Sequence, residues 1–219
     1  QEPRALPKLR LKWLSARNSR NEMTISVQQV KELRKATSAP VLDCKTALQN
    51  SDGEFDMAVD WLRQKGLSTA AKKAGRVANE GLVDSYIHHG NRVGVIAEVN
   101  CETDFVARSD DFRTLVHDIL LHIAMSNPMC VDVDDIPADA LAREKELFRE
   151  KAMQEGKPEN IAEKIVSGRL EKYYQQVCLL RQSFIKDEDL TIQDLVNRAI
   201  ATLGENIVVH RFERFELGK

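Results

Sequence analysis

No apolar run in this 219-residue chain is long enough to span a bilayer, so no membrane-crossing helix and no membrane partner are expected. Cysteine is sparse. Cys44, Cys101, Cys130 and Cys178 are scattered and include no C-x-x-C pair, which argues against a zinc site and a secreted disulfide framework and points to a reducing compartment. No metal is expected. Also missing are the phosphate-binding G-x-x-x-x-G-K-[ST], a G-x-G-x-x-G after a strand, H-E-x-x-H and G-x-S-x-G. Nucleotide binding and the common hydrolases thereby lose most of their support, and no cofactor is expected. The N-terminus lacks both a starting Met and the apolar core of a signal peptide. There is no internal repeat and no low-complexity tract. A net charge of -2 implies no global pull toward nucleic acid or membrane.

Charged residues make up 30% of the chain and hydrophobic ones 42%, the balance of a soluble globular protein. The length allows one large domain, or a small one joined to a larger one. The charge is uneven. Residues 1–22 hold six basic residues against Glu2 and Glu22, a local +4, so the remainder carries -6 and the whole chain -2. Residues 1–23 are read as a disordered basic extension, with an organellar transit remnant or an added leader as the other readings.

Residues 24–66 read as a compact three-helix module. Ser26 caps the first helix with Gln29 at the capping-box position, and Val27, Val30 and Leu33 supply its apolar stripe. Ala39-Pro40 breaks it, a second helix starts near Asp43, and Ser51-Asp52-Gly53 turns the chain. A third helix carries Phe55, Ala58, Val59 and Leu62, with Gly66 expected as its left-handed C-terminal cap. Residues 67–80 are expected to form a separate linking helix. From Gly81 the period changes to two, and a β-hairpin is expected around His89-Gly90-Asn91. Ser109 is the N-cap of a helix striped by Phe112, Leu115, Val116, Ile119, Leu120 and Ile123. Asn127-Pro128 ends it. Two further helices, from Pro137 to about Glu155 and over about 159–175, precede a strand read over Val177–Ile185. Thr191 caps a last helix that Gly204 ends, and Asn206–Leu217 is the final strand. The fold class is therefore α+β, with residues 81–219 an antiparallel-sheet core carrying helices on one face.

Four features could carry chemistry. Cys101 with His88 or His89 could make a nucleophile and base, but a small buried thiol at a strand end accounts for Cys101 more simply. Adjacent histidines on a strand point to opposite faces, so His88-His89 reads as a polar tip or one partner contact. Lys72-Lys73-Ala74-Gly75-Arg76 has three charges and no interleaved aromatics; a solvated linker fits better than an RNA site. The fourth is the strand-to-helix corner Thr103-Asp104-Phe105-Val106. An acid beside a large aromatic there is either folded into the core or offered to another molecule. On spacing alone, a core Phe105 and a capping Thr103 or Asp104 is the safer expectation.

Several ordered stretches alter that balance. VKELRKATSAPVLDCKTAL (30–48), AVDWLRQKGLSTAAKKAGRVANEGLV (58–83), VNCETDFVARSDDF (99–112), EGKPENIAEKIVSGRLEKYYQQVCLLRQSFIKD (155–187) and LGENIVVHRFERFELG (203–218) closely resemble bacterial translation elongation factor Ts. The resemblance runs from about residue 25 to the end. It implies a ubiquitin-associated-like N-terminal module, an α+β core and guanine-nucleotide exchange on elongation factor Tu, with no covalent chemistry and no direct nucleic-acid contact.

The resemblance also implies roles. Thr103, Asp104, Phe105 and Val106 match the corner that family members insert into the partner's GTPase domain. Val30, Leu33, Val41 and Leu42 match the apolar positions by which the N-terminal module docks. His88 matches the hairpin residue that reaches the partner's third domain. The chain departs from the family at Thr37-Ser38-Ala39-Pro40-Val41-Leu42-Asp43-Cys44, where Thr-Gly-Ala-Gly-Met-Met-Asp-Cys is usual, so two glycines and two methionines are replaced. It also resembles the short form of the family, which implies a C2 homodimer packed sheet to sheet, one subunit giving the corner and the other the hairpin. A cytoplasmic setting follows, with a plastid or mitochondrial matrix as the alternative. The competing class is a non-catalytic adaptor binding protein or RNA through its helical module and basic linker.

Overall fold

A computed structural model describes residues 25–156 and 158–219. The basic extension and the first residue of the helical module lie outside the described residues.

Three helices open the fold: α1 (Val27–Thr37), α2 (Val41–Asn50) and α3 (Phe55–Lys73). The Ser26/Gln29 capping box forms as the pattern requires. Leu33, Cys44, Ala47, Leu48 and Ala58 make a small sealed core beneath them. Two expectations fail here. Gly66 does not end α3; it is a buried interior residue, and the helix runs on to Lys73, while 74–79 are not helical and Glu80 already belongs to the first strand, so no separate linking helix forms over 67–80. The reason is packing: Gly66 faces α8 (Ile192–Leu203), where an added Cβ would meet the Ala201 Cβ at 3.9 Å and the Asn197 carbonyl at 4.0 Å. Tertiary contact on that side removes any need for the helix to stop. Arg63 on the same helix reaches Asp194 of α8 at 3.0 Å, tying the module to the rest of the chain.

The core is an antiparallel sheet in the order β1 (Glu80–Ile87), β2 (Val93–Cys101), β5 (Ile207–Glu216). Positive φ angles at Gly90 and Asn91 close the β1–β2 hairpin. One face carries Val95, Ala97, Val99, Cys101 and Val209 against α5 (Asp110–Ser126) and α8, whose stripes complete the core. Among the described residues no helix covers the other face. There Ile87, Gly94 and Phe215 lie in one row across the three strands, with Val83 and Ile96 nearby, and all four side chains are exposed.

Helices α6 (Ala138–Gln154) and α7 (Glu159–Val177) form an antiparallel pair. The strand read over Val177–Ile185 is mostly absent. Helix α7 extends to Val177, a 3-10 turn covers Leu179–Arg181, and only Ser183–Phe184 (β3) pairs with β4 (Asp187–Thr191). Of the apolar residues that suggested a strand, Leu179 is buried from the 3-10 turn and Phe184 from the short β3, while Ile185 is exposed. Cys130 and Cys178, far apart in sequence, meet across a one-rung bridge with free sulfurs 3.7 Å apart. Burial pushes Cys178 up to about 12, so neither pattern nor chemistry marks it as a nucleophile.

Candidate functional site

Strand β2 ends at Cys101, and the chain turns into a helix of only four residues, α4 (Asp104–Ala107). So short a helix has no stability of its own. Three local contacts hold it. The Thr103 hydroxyl accepts the Val106 N–H as an N-cap, and Val106 and Ala107 are buried in the core. That geometry points Phe105 outward, and the ring is 81% exposed. The expectation of a core Phe105 is therefore overturned. The apolar neighbour that enters the core is Val106, which is an anchor of the corner and not part of its free surface. Asp104 pairs with Arg108 at 2.9 Å, but both are exposed, and such a pair contributes about 0–1 kcal/mol.

Behind the corner lies a network absent from any local motif. One Glu205 oxygen accepts the N–H groups of Glu102 and Thr103 at 3.1 and 3.0 Å, and the other accepts the Thr103 hydroxyl at 2.6 Å. In return the Glu102 carboxylate accepts the Asn206 N–H at 2.6 Å and faces Arg76 at 3.4 Å. The Asn206 amide, with Arg76 beside it, holds the Glu102 carboxyl below the usual carboxylate range. Lys73 donates to the Gly204 carbonyl, and Asn206 Nδ2 to the Arg76 carbonyl. Two of the three charges in the basic stretch at 72–76 thus have intramolecular partners, Lys73 on Gly204 and Arg76 on Glu102, although Arg76 is exposed.

Cys101 is sealed in the core with its thiol on the Thr103 carbonyl at 3.2 Å, and burial raises its pKa. His88 and His89 sit at the opposite end of the hairpin, so no nucleophile–base pair exists between them. His88 is half-buried and shares a hydrogen bond of 3.1 Å with the Tyr86 hydroxyl; Tyr86 also meets His117 edge to face. Among the described residues no group of three metal-ligating side chains occurs. In the helical module Val41 and Leu42 are exposed, as docking residues would be, and Val30 is half-buried against the core. Leu33 is fully buried, so this position supports the module from within and cannot touch a partner directly.

A family model described as elongation factor TS matches residues 66–219. The chain is also 56% identical over 195 residues to elongation factor Ts of Moorella thermoacetica, spanning 89% of this chain and 96% of that protein. Elongation factor Ts of Geobacter sulfurreducens is 53% identical over 197 residues, spanning 90% and 91%.

The chain belongs to the elongation factor Ts family. Membership makes it a translation elongation factor. The exposed corner thus lies inside the matched region, as does Gly204-Glu205-Asn206 behind it. The corner is legible in the sequence; its support is not. Glu205 lies 102 residues from Thr103, and no helical or strand period links them. The one available signal was the LGENIVV stretch within the elongation factor Ts resemblance.

Proposed function

We propose that this protein accelerates GDP release from elongation factor Tu by inserting Asp104 and Phe105 into the partner's GTPase domain. The observation that carries this reading is an aromatic ring exposed on a four-residue helix whose own anchor, Val106, is buried. A monomer that left Phe105 in water would gain nothing from it.

The partner holds GDP through phosphate-loop amides and Mg²⁺. The factor performs no covalent chemistry. It binds the nucleotide-free partner more tightly than the loaded one, and by linkage nucleotide weakens the factor by the same ratio. A thousandfold effect needs about 4 kcal/mol of differential binding. One ring entering an apolar pocket, with a few docking contacts, is sufficient in magnitude. Phe105 acts as the wedge. Asp104, paired among the described residues with the exposed Arg108, exchanges that partner for groups of the GTPase domain and disturbs the Mg²⁺ environment. Val41 and Leu42, with Val30 at the edge, dock the module on a second helix of that domain.

The helix-free sheet face supports pairing of two copies. Ile87 and Phe215 flank Gly94 in one row with Ile96 nearby, and Gly94 leaves room for Ile87, since a Cβ there would meet Ile87 Cδ1 at 3.0 Å. A two-fold sheet-to-sheet dimer would set the corner of one copy beside the partner while the other copy supplies His88 to its third domain. The setting is the cytoplasm. The test is GDP release from elongation factor Tu with and without the protein. Acceleration supports the reading; an unchanged rate at saturating protein refutes it.

A further inference from the structure

Helix α4 is too short to orient Phe105 by itself, and its cap residue Thr103 is itself exposed. Beyond the Thr103 cap and the packing of Val106 and Ala107, the corner is also held from outside the local sequence. The described contacts contain one group that gathers three donors at the start of the corner. The Glu205 carboxylate takes two consecutive backbone N–H groups at the end of β2 and the hydroxyl that caps α4. Those N–H groups have left the sheet ladder, which ends where Cys101 pairs with Ile207. The Thr103 hydroxyl then acts as a relay. It donates its proton to Glu205 and accepts the Val106 N–H at 3.3 Å.

We propose that Glu205 is the positioning residue of the exchange corner, setting the direction in which Phe105 projects. This rests on the exchange function proposed above. Glu205 does not touch the partner; it acts through Thr103. The Glu102 carboxylate returns the contact to Asn206 and Arg76, so the corner and the α8–β5 turn hold each other. Because Lys73 and Arg76 lie at and just beyond the end of α3, the same network joins the docking module to the wedge. Docking of one and insertion of the other then act as one rigid displacement.

The chemistry of the three bonds separates charge from geometry. In Glu205→Gln the amide oxygen still accepts both N–H groups. The amide nitrogen donates to the Thr103 oxygen, whose own proton turns to solvent. The topology survives without the charge. Glu205→Ala keeps none of it, and Glu205→Asp, one methylene shorter, cannot span both amides and the hydroxyl.

The experiment titrates each full-length variant against elongation factor Tu loaded with a fluorescent GDP and fits a limiting release rate and a half-saturating concentration. A variant that merely misfolds behaves as a smaller amount of wild type: the half-saturating concentration rises and the limiting rate stands. A misdirected Phe105 lowers the limiting rate instead. We expect Glu205→Ala to lower the limiting rate about tenfold or more with the half-saturating concentration nearly unchanged, and Glu205→Gln to stay within about threefold of wild type. If Glu205→Ala does not fold, Glu205→Asp carries the same expectation. A wild-type limiting rate in Ala and Asp, a defect confined to half-saturation, or equal loss in Gln and Ala overturns the proposal. Wild type and Phe105→Ala run in parallel. If wild type itself fails to accelerate release, the exchange reading falls and takes this proposal with it; if only the Glu205 series matches wild type, the positioning role alone falls.

Discussion

Phe105 and Val106 are chain neighbours with opposite environments: the ring is 81% exposed and the valine 6%. The pair shows how a corner can be both rigid and presented. Val106 fixes the backbone in the core, and the helical turn it completes leaves Phe105 no inward direction.

The open sheet face predicts association. Wild-type protein should scatter light as a dimer at micromolar concentration, and Ile96→Asp, which places a charge in the centre of the apolar face, should give a monomer with an unchanged circular dichroism spectrum. A wild-type monomer would remove the shared-site picture.

Gly66 offers a direct contrast between the sequence reading and the structure. A left-handed cap would make Gly66→Ala destabilising. An interior helical position with ordinary contacts at 3.9 and 4.0 Å makes it stabilising, by about 1 kcal/mol. The midpoint of urea unfolding decides the sign.

Ser38 ends α1 at φ 55°, a left-handed position where the family pattern has glycine. Ser38→Gly should stabilise the helical module by about 1 kcal/mol. Pro40, at φ -55°, replaces the second glycine without strain, so Pro40→Gly should lower stability by a few tenths to about 1 kcal/mol. Urea unfolding of the two variants gives opposite shifts if this is correct.

His122 is fully buried. Its Nε2–H donates to Gln182 Oε1 at 2.9 Å, and Nδ1 has no partner. Burial lowers its pKa below 6.5, although the Gln182 contact opposes this. The unfolded chain therefore binds a proton that the folded one resists. The stability tied to neutral His122 is fully present above pH 6.5 and is lost as pH falls below it. His122→Gln should flatten this part of the curve; equal slopes for wild type and variant between neutral and mildly acidic pH would contradict the assignment.

Helix starts were legible because their signals are local. Ser26 with Gln29, Ser109, and Thr191 with Asp194 all cap as their spacing requires. The β1–β2 hairpin was legible for the same reason. Three features were not. The continuation of α3 past Gly66 depends on α8, more than a hundred residues away. The apolar run at 177–185 buries Leu179 from a 3-10 turn and Phe184 from a two-residue strand, and period alone cannot separate that from a longer strand. The direction of Phe105 depends on the burial of Val106, which spacing alone does not separate from burial of Phe105, and on Glu205, which lies outside the corner. The family resemblance indicated the corner's use. The structure added why it stands where it does.

The most direct test is stopped-flow release of labelled GDP from elongation factor Tu with saturating wild type or Phe105→Ala. An exposed ring contributes little to the fold, so the variant should keep its circular dichroism spectrum and urea midpoint. Its stimulated rate should fall about a hundredfold, the loss of a buried aromatic anchor of about 3 kcal/mol. An intact variant that releases GDP as fast as wild type would contradict the wedge.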